Sequence, residues 1–278
     1  MKSLLKILLL LLVLVLVAYV AVAFIAGGFG PKPANALTLK NAGSQILFAH
    51  RGIAGSFPEN SRESIALAKK KGFKGVEVDI RKSADNEFIV FHDENCSRLL
   101  GVNVNVADLT TAQIKKFNLL AGKDTSSSYV LTLKELLDEF KGDFTFYFDF
   151  KLKNVNDADE LVYLIETYDL SRSVILASTS APVIFHLEYH YPAILTALEG
   201  FDSGKEWMYF FIPKNLKPDY LSGFASKVDE KHISWLKEKE LLNSRIVYGV
   251  DSSNYQQVVD LGLKNFIIDY YSDLNLKP

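Results

Sequence analysis

Apolar and polar positions fall into three regimes along the chain. From Ile7 to Ala26 runs an uncharged block of twenty residues, ILLLLLVLVLVAYVAVAFIA, which as a helix covers roughly 30 Å, the hydrocarbon thickness of a bilayer. A cleaved leader has an apolar core of about 7 to 15 residues. Length therefore predicts a retained signal anchor over residues 1–26, although Ala34, Asn35 and Ala36 have the small-x-small form of a cleavage site. From Gly27 to Ser44 the chain is rich in Gly, Pro, Ala and Asn without sustained periodicity, which predicts a linker. Beyond it, over residues 45–278, short apolar or alternating runs take turns with stretches of helical period, the signature of a parallel α/β fold.

Within that body, Ile46 to Ala49 reads as an apolar strand ending at His50. Ser61 to Lys71 reads as a helix, with Asn60 and Glu63 at capping-box spacing. Val76 to Arg81 alternates strictly, putting Val76, Val78 and Ile80 on one face and Glu77, Asp79 and Arg81 on the other. Asp85 and Asn86 mark a turn into a second strand, Phe88 to Phe91, that runs into His92. Thr132 and Glu135 repeat the capping-box spacing ahead of LKELLDEF, and Phe144 to Lys153 alternates again, with the phenylalanines opposite Asp149, Lys151 and Lys153. Strand and helix pairs continue to Asp269. About eight such units predict a closed (β/α)8 TIM barrel, in which chemistry sits at the C-terminal ends of the strands. His50, Glu77 with Asp79, and Asp149 with Lys151 all fall at or near predicted strand ends.

Composition narrows the chemistry. A formal net charge of -2, from 31 basic against 33 acidic residues, gives no long-range attraction for nucleic acid or an anionic membrane surface, so phosphate recognition has to be local. A single cysteine, Cys96, excludes an internal disulfide and any cysteine-based zinc or iron-sulfur site. Lys2 and Lys6 precede the apolar block while Lys32 and Lys40 follow it. With the amino terminus, the early pair predicts N-terminus inside and the body on the periplasmic or exterior side. Carboxylates two apart on a strand point the same way, so Glu77 and Asp79 can share a hard divalent cation, with Asp149 as a third oxygen donor. Arg51 and Lys151 offer positive charge to a phosphodiester. His50 and His92 suit a general base and a general acid for its cleavage. The four-apart pair His186 and His190 lacks the HExxH order and reads as a surface pair. Core packing is the expectation for the aromatic run Trp207 to Phe211, with an exposed, lipid-touching loop as the alternative.

These residues closely resemble the glycerophosphodiester phosphodiesterase family. The stretch FAHRGIAGSFPENSRESIALAKKKGFKGVEVDIRKSADNEFIVFHDENCSRLLG is similar to that family's opening block: HRG, then PEN with a hydroxyl residue, then E-x-D, then HD. Phe148, Asp149, Phe150 and Lys151 look like its acidic-x-Lys strand. The resemblance implies a TIM barrel that hydrolyses glycerophosphodiesters to glycerol 3-phosphate and an alcohol, with Ca2+ or Mg2+. It implies His50 and His92 as the acid/base pair, Glu77, Asp79 and Asp149 as metal ligands, Arg51 and Lys151 on the phosphate, and Glu59 and Asn60 in support. The chain departs from the family at three places. Asp149 stands where Glu is usual, Tyr248 to Asp251 where a Trp-Thr-Val-Asn strand is usual, and Ile268 to Tyr271 where Thr-Asp and a proline are usual. Two other readings compete: a phospholipase D-type enzyme acting on lysophospholipids in the bilayer, and a non-catalytic barrel that binds a phosphorylated ligand.

Overall fold

The structure, a computed structural model, describes residues 2–32, 46–55, 57–122 and 124–269. After α1 (Lys2–Ile25) the chain runs through β1 (Ile46–His50), α2 (Arg62–Lys70), β2 (Gly75–Lys82) and β3 (Phe88–Val90). An excursion follows, with single-turn helices α3 (Ser97–Leu100) and α4 (Thr111–Ile114) and a ribbon of β4 (Leu120–Ala121) and β5 (Asp124–Thr125). Then come α5 (Leu133–Phe140), β6 (Thr145–Phe150), α6 (Val155–Thr167), β7 (Val174–Ser178), α7 (Ala181–His190) and β8 (Leu195–Leu198). The chain closes with α8 (Glu206–Phe211), β9 (Tyr220–Phe224), α9 (Glu230–Glu238), β10 (Arg245–Val250), α10 (Tyr255–Asp260) and β11 (Asn265–Ile268).

Strands β1, β2, β6, β7, β8, β9, β10 and β11 pair in parallel in that order, and β11 returns to β1. The eight-stranded closed barrel is the one expected from the alternation of elements. β3 is a hairpin partner outside it, antiparallel to β2, with Asn86 at φ 61° in the turn. Strand alternation sorts the side chains into layers. Val76, Val78, Ile80, Phe146, Phe148 and Phe150 join helix residues such as Ile65, Leu136 and Leu161 in the layer between strands and helices. Phe48, Tyr147, Ile175, Ala197, Ile246 and Ile267 come from strands alone and fill the barrel interior. Glu77, Asp79 and Asp149 have the inward parity of Tyr147, to which Glu77 lies next in register, while Asp79 lies next to Asp149.

α5 begins with the expected reciprocal box of Thr132 and Glu135. α2 corrects the expectation: its N-cap is Ser61, whose hydroxyl accepts from the Ser64 amide, and Asn60 stands outside the helix at φ 57°. Asparagine tolerates that left-handed conformation, which frees its side chain for the barrel. The excursion after His92 shares a small core with β3, Ile89, Phe91, Cys96, Leu99, Val106 and Ile114.

Leu4 to Ile25 of α1 is apolar and long enough to cross a membrane, and its side chains are almost all exposed. The predicted linker is docked where it is described. Ala26 packs with Ile212 and Leu216, the amides of Lys214 and Asn215 donate to the carbonyls of Gly28 and Ala26, and Lys32 pairs with Glu188 and Asp219, each at 2.7 Å. Residues 33–44 of the linker, the Ala34 to Ala36 motif, Lys40, Tyr270 and Tyr271 lie outside the described residues.

Candidate active site

Three inward carboxylates form the floor of the site. Glu77 and Asp79 sit two apart on β2, and Asp149 faces Asp79 from β6. One oxygen of each lies within 4.8 Å of the others. Burial, then repulsion from Asp79 and Asp149, pushes the Glu77 carboxyl well above the usual range. Asp149 is also raised, by burial first, with Lys151 opposing. Asp79 is fully buried yet its pKa is lowered, because Lys151 and Arg51 outweigh its desolvation. Two buried carboxylates and one half-buried, two of them with raised pKa, form a hard oxygen set that suits a divalent cation.

The cations and the polar support come from the turn after β1. Arg51 is at φ 54° and Gly52 at φ 75°, so the chain bends sharply at the barrel rim. A Cβ on Gly52 would lie 2.6 Å from the backbone of Ser64, which leaves room only for glycine. The bend aims the Arg51 amide at Glu77 Oε2 at 2.9 Å, its Nη1 at Glu59 Oε1 at 2.7 Å and its Nε at Asp79 Oδ2 at 3.1 Å. Asn60 Nδ2 donates to Asp79 Oδ2 at 2.8 Å, and the Asp79 amide returns a bond to Asn60 Oδ1 at 3.3 Å. Lys151 reaches Asp79 Oδ1 at 2.9 Å and also donates to Asp149. Flanking carboxylates raise its pKa against the desolvation that would lower it.

Each histidine is held by a carboxylate through Nδ1: His50 by Asp269 at 2.8 Å, His92 by Asp93 at 2.6 Å. Nδ1 is thus engaged in both rings, and Nε2 is the nitrogen on the side away from the carboxylate. His50 lies beside Glu77 in the β1 and β2 register, and His92 is close enough to Asp79 and Asp149 to interact electrostatically with both. The structure brings together all nine residues singled out from the sequence: His50, Arg51, Glu59, Asn60, Glu77, Asp79, His92, Asp149 and Lys151.

Sequence reasoning missed four partners. Arg98 grips Glu59 through both Nη atoms at 2.7 and 2.8 Å, and Asp93 through Nε at 2.7 Å and Nη2 at 2.9 Å. Burial would raise Asp93, but the Arg98 and His92 hydrogen bonds hold it at about 2. Arg98 lies on α3 with no periodic signal to mark it. Asp93 belongs to the HD motif but had no role there, and Asp269 follows the last strand, where the end-of-strand rule alone could have found it. Glu199, after β8, accepts from the Tyr147 hydroxyl at 2.9 Å. Burial and the Asp149 charge push its pKa well above normal. Of the four-apart histidine pair, His186 is half-buried and pairs with Asp159 at 2.6 Å, while His190 is exposed. The aromatic run overturns its expectation, since Trp207, Met208, Phe210 and Phe211 are exposed and only Tyr209 is buried.

The sequence profile of the glycerophosphoryl diester phosphodiesterase family matches residues 50–257, three quarters of the chain and every site residue except Asp269. The chain belongs to that family. Among curated relatives it resembles the bovine glycerophosphodiester phosphodiesterase 1, at 32% identity over 54% of this chain and 47% of that one. The glycerophosphodiester phosphodiesterase of Caldanaerobacter subterraneus is 28% identical over 48% of this chain and 57% of its own length. The chain therefore spans about half the length of these relatives. Solved structures share the fold across the body. The Agrobacterium tumefaciens glycerophosphodiester phosphodiesterase superposes with a TM-score of 0.66 at 20% identity, over 81% of this chain and 96% of that one. An Oleispira antarctica phosphodiesterase, solved with the product sn-glycerol-3-phosphate, does so with a TM-score of 0.68 at 20% identity, over 81% and 93%.

Proposed function

We propose that the chain is a membrane-anchored phosphodiesterase that hydrolyses glycerophosphodiesters to glycerol 3-phosphate and an alcohol. One observation carries the reading: Glu77, Asp79 and Asp149 converge within 4.8 Å on a rim that also holds two carboxylate-oriented histidines. The same three residues would hold a divalent cation, Ca2+ or Mg2+, which when bound supplies Lewis-acid stabilisation of charge on the phosphoryl oxygens. Arg51 and Lys151 bind and orient the phosphate. One histidine takes a proton from the attacking water as the new P–O bond forms. The other protonates the alcohol oxygen as its P–O bond breaks, so one water is consumed and the charge on the two histidines is exchanged. Glu59 and Asn60 position Arg51 and Asp79 rather than touch substrate.

The anchor reading rests on the length and exposure of α1, with residues 1–26 in the membrane, a short tether, and the barrel beyond it on the exterior side. A freely diffusing diester is favoured over a bilayer-held lysophospholipid by where the tether docks. Lys32 meets the last turn of α7 and Asp219, which precedes β9, and Asp219 accepts from the Thr196 amide near the start of β8. Those groups mark the strand-start end of the barrel, opposite the catalytic rim. Parallel assays of glycerophosphocholine and lysophosphatidylcholine, with released choline as the common readout, test this choice. Faster turnover of glycerophosphocholine is expected. Release of head group from lysophospholipid alone would overturn it.

A further inference from the structure

Four apolar side chains stand exposed on a six-residue helix: Trp207 is 64% exposed, Met208 39%, Phe210 70% and Phe211 52%. Catalysis uses none of them. Their neighbour is the membrane helix, because the Tyr19 hydroxyl of α1 donates to the Phe211 carbonyl at 2.5 Å. The tether then holds the two together. Ala26 packs against Ile212 and Leu216, the Lys214 amide donates to Gly28 at 2.8 Å, and Lys32 is clamped by Glu188 and Asp219.

Helix length fixes the depth at which this happens. Lys6 is charged, so the apolar span begins at Ile7, and Ile7 to Tyr19 covers only about 20 Å at ~1.5 Å per residue. The hydrocarbon core is about 30 Å thick, so Val20 to Ala26 must complete the crossing. Tyr19 therefore lies below the level at which α1 leaves the hydrocarbon, and the Phe211 carbonyl bonded to it lies there too. Phe24 and Ile25, at 84% and 69% exposed, continue the apolar surface along the emerging end of α1. An aromatic-rich segment near that level suits insertion of its apolar side chains through the headgroup/acyl boundary.

We infer that α8 is a second membrane contact: Trp207, Met208, Phe210 and Phe211 insert into the lipid interface beside α1 and hold the barrel with its catalytic rim facing away from the bilayer. The inference rests on the anchor reading of α1. Its partner is the glycerol and upper acyl region of the lipids, because the exposed groups are apolar or aromatic and adjoin the lipid-facing surface of α1. Trp207 is one of two tryptophans, which makes it a reporter.

The test reconstitutes the full chain carrying Trp235→Phe into phosphatidylcholine vesicles, with or without lipids brominated high on the acyl chain. The expected result is at least a two-fold loss of Trp207 emission with brominated lipid, and little quenching by aqueous iodide. If Trp235→Phe fails to fold, the difference between wild type and Trp207→Phe reports the same signal. Quenching by iodide, or by neither quencher, as when a second copy or another protein covers the patch, overturns the inference. Alkaline carbonate extraction separates the two readings. Retention in the vesicles with unquenched Trp207 refutes the α8 contact alone, and release refutes the anchor and the depth derived from it.

Discussion

Arg98→Met tests the site where the sequence was least informative, because the substitution keeps the aliphatic stem and removes four hydrogen bonds to Glu59 and Asp93. Asp93 is held at about 2 against an ordinary 3.8. At about 1.4 kcal/mol per unit, that shift corresponds to ~2.5 kcal/mol, which His92 shares with Arg98. The Arg98 side chain is 49% exposed, so screening reduces its part to about 1 kcal/mol. The sign follows from the depressed pKa. Asp93 contributes stability above its unfolded value near 4 and loses it as pH falls toward 2. Wild type should therefore lose stability over that window more steeply than Arg98→Met, by about 1 kcal/mol in urea unfolding. Activity should suffer as well, because Arg98 fixes the carboxylate behind His92 and the one behind Arg51. A fall in kcat of roughly ten-fold is expected with a rise in KM, and Arg98→Lys should restore part of it. Unchanged kinetics with an unchanged acid limb would refute a positioning role for Arg98.

His92→Ala should lower kcat by roughly 10²- to 10⁴-fold while leaving the melting temperature near that of wild type, since the ring is at the rim; activity at the wild-type level removes His92 from the mechanism. Asp149→Asn should raise the cation concentration needed for half-maximal activity by roughly 10- to 100-fold, measured by metal titration of chelated enzyme, and an unmoved titration excludes Asp149 as a ligand. Lys32→Met removes the ion pairs of Lys32 with Glu188 and Asp219, at a cost of roughly 3 to 5 kcal/mol in thermal or urea unfolding. Burial and then Asp219 already push Glu188 up to about 7, so its contribution declines as pH rises from its unfolded value near 4.5 through 7, and the variant, lacking the opposing Lys32 charge, should carry that decline to higher pH; equal stability at both ends of the window contradicts it.

What was legible in the sequence was whatever repeats. Period-two alternation at Val76 to Arg81 and Phe144 to Lys153 gave both the strands and the side of the sheet on which Glu77, Asp79 and Asp149 stand. The Thr132 and Glu135 spacing gave a helix start to the residue. What failed was local choice between near-equal alternatives. Ser61 and Asn60 are both good caps, and the demand of Asp79 for a buried donor decided between them. Arg98 was invisible because its role depends on a fold-back of the chain between Asp93 and Val106 that no periodicity encodes. The aromatic run at Trp207 has the composition of a core segment. Its neighbour in the fold, Tyr19, lies almost two hundred residues away, beyond the reach of any local pattern.

On the proposed mechanism, a cation held by Glu77, Asp79 and Asp149 enables cleavage of a glycerol phosphodiester. Its most direct test is glycerol 3-phosphate release from glycerophosphocholine by the full chain, before chelation, after chelation, and after Ca2+ or Mg2+ is restored. A loss of roughly 10²-fold or more on chelation, reversed by the ion, is the predicted result. Turnover indifferent to chelator and ion alike would contradict the account.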